Sequence, residues 1–94
     1  MKFDPLAQRE YDDAIEYYEV QEEGLGEKFR AAVSAAIAIL ERYPDIGEEV
    51  RPGIRKMLLR RFPYKLLYSV IDDEVYIIAV AHGHREPDYW VRRV

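Results

Sequence analysis

The sequence predicts an α+β fold in which an N-terminal antiparallel helix hairpin packs on a small antiparallel β-sheet, in the order β-α-α-β-β-β. Two runs of helical spacing fill the first half: Ala7, Tyr11, Ala14 and Tyr18, then Phe29, Val33, Ala36, Ile37 and Leu40. After residue 53 the apolar period falls toward two, and the turns between the later runs are too short for parallel crossovers. With 94 residues and no cysteine, the chain is long enough for one packed core and carries no disulfide to support it. Residues 1–94 are therefore expected to form a single domain.

Each element has a local reason. Lys2-Phe3 is a short candidate edge strand. Asp4-Pro5 starts the first helix, because the aspartate can accept from unpaired amides and proline at the first helical position forfeits no hydrogen bond. Glu10, Asp12, Asp13, Glu16 and Glu19 read as its solvated acidic face. Gly24-Leu25-Gly26 is expected to end it, since glycine accepts a left-handed cap. The second helix stops before Pro44, and Ala31, Ala32, Ala35 and Ala36 offer it a small face for close approach. Residues 44–53 hold two prolines and two glycines and read as a loop. Three strands follow at Ile54 to Phe62, Tyr64 to Ile71 and Val75 to His82, with turns at Phe62-Pro63 and Asp72-Asp73-Glu74. The last is almost entirely apolar, as a strand covered on both faces would be.

Charge divides the chain in two. Residues 1–50 carry five basic residues against thirteen acidic ones, a net −8, and residues 51–94 carry nine against five, a net +4. The whole-chain charge of −4 argues against a surface given over to nucleic acid, yet 51–71 hold six basic residues and no acidic one. That stretch is suited to docking an anionic partner. No apolar run is long enough for a bilayer, and Met1 to Pro5 lacks the apolar segment of a signal peptide, so a cytoplasmic protein without membrane contact is expected. His82-x-His84 could present two rings to one side, but no cysteine or evident carboxylate completes a metal set, and no cofactor site is expected. Tyr11, Tyr17 and Tyr18 read as core and groove packing, and Trp90 as a cover for the end of the sheet.

In combination, several motifs resemble those of a known family across nearly the whole chain. They are Ala7-x3-Tyr11-x2-Ala14-x2-Tyr17-Tyr18, Gly24-Leu25-Gly26-x2-Phe29-x3-Val33, Ile39-x4-Pro44, Ile54-Arg55, Phe62-Pro63-Tyr64-x3-Tyr68 and Ala79-Val80-x-His82-x2-Arg85-x-Pro87-x-Tyr89-Trp90-x2-Arg93. The set resembles the RelE/ParE superfamily of bacterial type II toxins. The resemblance implies the toxin of a toxin–antitoxin pair, neutralised by a cognate antitoxin whose acidic or amphipathic C-terminal segment wraps it. Some relatives are ribosome-dependent mRNA endonucleases, and others poison DNA gyrase without cleaving RNA.

For the nuclease reading, the substrate's 2′-hydroxyl is the nucleophile, and the protein must orient it, neutralise a phosphate and move protons. The candidates are Arg55, Arg61, Lys65, His82, His84, Arg85 and Tyr89, with Arg60 beside them. Strand alternation already separates them: Arg55 shares a face with Met57, Leu59 and Arg61, while Lys56 shares the other with Leu58 and Arg60. The middle strands are more hydrophobic than in nuclease-like relatives, and the resemblance is closer to ParE. A ParE-like toxin needs a protein-binding surface of arginines and aromatic anchors, for which Arg55, Arg60, Arg61, Lys65, Arg85, Tyr89, Trp90, Arg92 and Arg93 are the candidates. A third reading is a binding domain with no toxic activity. Arg85 could also be held structurally by an acidic residue of the helix hairpin.

Overall fold

Asp4 begins the first helix as its sequence implies, its Oδ1 accepting from the Leu6 amide at 2.9 Å ahead of Pro5. A computed structural model of the chain describes residues 1–94 and gives the order β1 (Lys2–Phe3), α1 (Pro5–Gln21), α2 (Leu25–Arg42), β2 (Glu48–Arg51), β3 (Ile54–Leu58), β4 (Tyr64–Ile71), β5 (Glu74–His82), closed by a 3₁₀ turn at Val91–Arg93. No helix is long and apolar enough to cross a membrane.

The α+β expectation holds. The sheet has five strands in the order β1-β5-β4-β3-β2, antiparallel except that β1 runs parallel to β5, with Lys2 opposite Tyr76 and Phe3 opposite Ile77. Parallel pairing is possible there because the connection between β1 and β5 is long, running through both helices and then β2, β3 and β4. The added strand is β2, inside the segment that composition marks as loop. It pairs with β3 through Glu48 opposite Lys56 and Glu49 opposite Arg55, with a bulge before Arg51. Prolines and glycines bound this strand at Pro44, Gly47, Pro52 and Gly53, and its four residues are all exposed.

β3 is shorter than alternation suggests. It ends at Leu58, and the chain turns through Arg61 at φ 69°, with the Leu59 amide donating to the Tyr64 carbonyl at 2.9 Å. Arg60 and Arg61 consequently leave the alternating pattern and stand exposed on the turn.

The helices cover one face of the sheet. Phe29, Val33, Ala36, Ile37 and Leu40 of α2 and Ala7 and Ala14 of α1 meet Leu66, Tyr68, Val75, Ile77 and Val80. Burial of the larger side chains contributes about 2 kcal/mol each. Of the four alanines expected to ease close approach, only Ala36 is buried. The tight contact between helices is made by Gly26, where an added Cβ would stand 2.8 Å from the Ile15 carbonyl oxygen. Gly26 lies inside α2, while α1 ends earlier, with Glu22 as its extended cap. Gly24, at φ 88°, opens α2 instead. Glu19, far from being idle surface charge, accepts from the amides of Gly24 (3.0 Å) and Gly26 (3.0 Å), placing a carboxylate at the positive end of the α2 dipole.

The opposite face is covered too. Register slips between Leu67 and Tyr68, leaving Ile78 without a direct partner on β4. Through this bulge Ile78 and the adjacent Ala79 both join the second face, where Ile54, Leu67, Ala81 and Trp90 pack with them. Coverage on both faces explains the unbroken apolar run of β5.

Candidate functional site

The C-terminal segment is laid on the second face of the sheet by two anchors. Trp90 is 3% exposed and packs on the Ile54–Leu67–Ile78 cluster, as a cover for the sheet should. Arg51 of β2 reaches the same segment, its guanidinium 3.2 Å from the Asp88 carboxylate and 6.0 Å from the Trp90 ring centre.

The second anchor is Glu10, which the spacing of acidic residues had placed on a solvated face. Its carboxylate takes four hydrogen bonds. Oε1 accepts from the Val80 amide (3.0 Å) and Arg93 Nη1 (2.8 Å). Oε2 accepts from Tyr89 Oη (2.6 Å) and Arg93 Nη2 (3.0 Å). Only 16% of the Glu10 side chain is exposed, so a single acidic residue of α1 holds two residues of the terminus in a bidentate, charge-assisted arrangement. A signal for it does exist in the sequence. Glu10 lies three residues after Ala7 and four before Ala14, on the buried stripe of α1.

Electrostatics follow from this contact. Burial, and then the hydrogen bond to Glu10, push the Tyr89 phenol far above the ordinary tyrosine range, against the opposing influence of Arg93 and Arg85. The Arg93 guanidinium is raised chiefly by its hydrogen bond to Glu10. Tyr89 is thus a held, protonated donor. Its ring also lies under a cation: Arg85 Cζ is 3.9 Å from the ring centre, and Arg93 Cζ is 5.1 Å away. Arg85 reaches only 4.0 Å from Glu10 and is itself exposed, so its link to the hairpin is looser than that of Arg93.

The remaining candidates do not converge. Arg55 lies opposite Tyr68, on the helix-covered face, and donates to the carbonyls of Gly47 (2.7 Å) and Asp45 (3.2 Å), fastening the loop before β2. Lys65 stands opposite Leu58 and Ala81, on the second face, and is half-buried. Lys56 pairs with Glu48 at 3.6 Å. His82 ends β5 with its Nδ1 accepting from the His84 amide at 3.0 Å, and its ring lies 5.1 Å from Tyr64 and 5.1 Å from the stacked His84 ring. An open groove of about 420 Å³ separates this end of β5 from α1, lined by Glu10, Asp13, Tyr17, Tyr64, His82 and Arg85. Arg92, within the tail, is exposed. The structure therefore brings Arg85, Tyr89 and Arg93 together, adds Glu10 to them, and leaves Arg55, Arg60, Arg61 and Lys65 apart. Of the three helix tyrosines, Tyr11 and Tyr18 pack against the core and Tyr17 is 58% exposed.

Comparison with known proteins agrees with the architecture. A search of curated proteins finds no match. Among solved structures, a chain of the chromosomal ParDE TA system from P. aeruginosa superposes with a TM-score of 0.60 at 21% identity, over 86% of this chain and 91% of that one, which establishes a shared fold. The family model for the ParE toxin of the type II toxin–antitoxin system parDE matches residues 1–87, which span both helices and all five strands. By that match over almost the whole sequence, the chain belongs to the ParE toxin family.

Proposed function

We propose that this chain is the toxin of a type II toxin–antitoxin pair, neutralised by a cognate antitoxin, and that it inhibits growth by binding a target such as DNA gyrase rather than by catalysis of its own. The observation that carries this reading is the division of the candidate groups. A nuclease site needs cations and a proton-transfer group around one phosphate, but Arg55 and Lys65 lie on opposite faces of the sheet and the Tyr89 hydroxyl is bonded to Glu10. What the C-terminal segment offers instead is a fixed binding surface, with Arg85 and Arg92 exposed beside Tyr89.

The antitoxin is assigned to the second face where Leu58 lies opposite Lys65, with Arg60 exposed on the adjoining turn. Leu58 is 67% exposed there, an apolar contact bordered by positive charge. An acidic amphipathic segment complements both features.

Induction without antitoxin tests the reading. Filamentation and inhibited supercoiling of DNA by purified gyrase are expected, with transcripts intact. Cleaved transcripts and abrupt loss of translation would establish the nuclease instead, and unimpaired growth would overturn both. Truncation after Pro87, which removes Tyr89, Trp90, Arg92 and Arg93, is expected to abolish inhibition.

A further inference from the structure

We infer that Glu10 is the positioning residue for residues 85–94, fixing the C-terminal segment by standing in for a missing strand along the outer edge of β5. β1 covers that edge only at Tyr76 and Ile77, and the Asp4 amide adds one more bond to the Ile77 carbonyl. Beyond it the chain has entered α1, and the backbone of β5 needs other partners. Glu10 and Arg93 supply them. Glu10 Oε1 accepts from the Val80 amide, and Arg93 Nη1 donates to the Ile78 carbonyl at 3.1 Å. The pair thus presents one acceptor and one donor to β5, as a neighbouring strand would, and the two groups are bonded to each other.

The position of the tail follows from this exchange. Arg93 cannot serve Ile78 without lying against β5, and Tyr89 reaches Glu10 from the same side. Trp90, between them in sequence, is thereby directed onto the second-face cluster. Asp88 enters this stretch at φ 65°, a conformation unfavourable for a non-glycine residue, which the contacts on either side must hold. Arg85, the other cation on the Tyr89 ring, is oriented through Tyr89. Glu10 therefore acts on the exposed groups of the segment without being one of them.

The role of this positioning in growth inhibition rests on the binding function proposed above, so the test has two separate readouts. Glu10→Gln keeps the shape of the side chain but loses the carboxylate, and Glu16→Gln on the exposed face of α1 serves as the comparison. In purified protein, amide exchange in residues 85–94 is expected to accelerate about tenfold or more in Glu10→Gln, with a red shift of the single tryptophan's emission. Exchange in α2 and β4 should be unchanged, which a general loss of stability would not produce. In cells, Glu10→Gln should lose growth inhibition while Glu16→Gln keeps it. Unchanged exchange in residues 85–94 overturns the structural inference whatever the cells do. Released exchange with full growth inhibition overturns the positioning role. If the unmodified chain does not inhibit growth, the functional reading fails, and the exchange experiment still decides whether Glu10 fixes the segment.

Discussion

The hydroxyl of Tyr68 accepts from the Gly47 amide at 3.0 Å and donates to the Pro44 carbonyl at 2.6 Å, fastening the loop that follows α2 to the centre of the sheet. Tyr68 is fully buried and Gly47 is buried with it. Removing the hydroxyl leaves a donor without a partner in a place water does not reach. Tyr68→Phe is therefore expected to cost about 1–3 kcal/mol of stability, read from the midpoint of urea unfolding. A change under a few tenths would mean that the loop relaxes and finds other partners. The same contact leaves no space at Gly47, where an added Cβ would stand 2.6 Å from the Tyr68 hydroxyl and 2.6 Å from the Lys56 carbonyl oxygen.

Gly26→Ala sets two effects of opposite sign against each other. Alanine improves helix propensity by roughly 1 kcal/mol. Its Cβ, however, would stand 2.8 Å from the Ile15 carbonyl oxygen, a backbone atom that moves only if α1 moves. Overpacking of this kind costs about 1–3 kcal/mol, so a net loss of about 1 kcal/mol is expected. Thermal unfolding of the variant decides it, and a raised midpoint would mean that the helices can separate at no cost.

Much of this architecture was legible because local chemistry and tertiary role agree. Asp4-Pro5 favours a helix start from local chemistry alone, and the apolar, aromatic-rich run from Tyr64 to Ile71, bounded by Pro63 and Asp72, marks β4 to the residue. Glu48–Arg51 was not legible, since these four exposed residues are strand only because β3 lies alongside. Glu10 was hidden for a different reason. Its partners lie 70 to 83 residues away, and among so many acids in α1 its charge masked its place on the buried stripe. Gly26 shows that residue type can be read correctly and its task misjudged: glycine was needed, but for contact with Ile15 rather than to end a helix.

Alkaline pH should destabilise the fold in a specific way. The phenols of Tyr18, Tyr64, Tyr76 and Tyr89 are all raised, burial being the largest cause in each. A raised phenol means that the folded state binds its proton more tightly than the unfolded chain. The associated stability is complete below the unfolded value, about pH 10, and is lost as pH rises through the folded one. Stability should thus be insensitive to tyrosine ionisation near neutrality and fall above about pH 10. Tyr89→Phe should make that fall shallower, as measured by urea unfolding across the alkaline range. An identical slope would show that Tyr89 ionises freely in the folded protein.

Salt should separate docking charges from structural ones. Arg60 is exposed and Lys65 is half-buried on the second face, and neither takes part in an ion pair, whereas Arg55, Lys56, Arg51 and Arg93 are all engaged within the chain. Arg60→Ala with Lys65→Ala should leave folding stability within about 0.5 kcal/mol, as unpaired surface charges do. Binding of an acidic antitoxin segment should weaken, and by more in dilute buffer than at about 1 M salt, where the screening length falls to ~3 Å. The loss should appear mainly in the association rate, since charges at a rim steer encounter more than they hold the complex. Equal weakening at both ionic strengths would place these two residues outside the interface. Unfolding of the double variant would assign them a structural role that no contact in the chain accounts for.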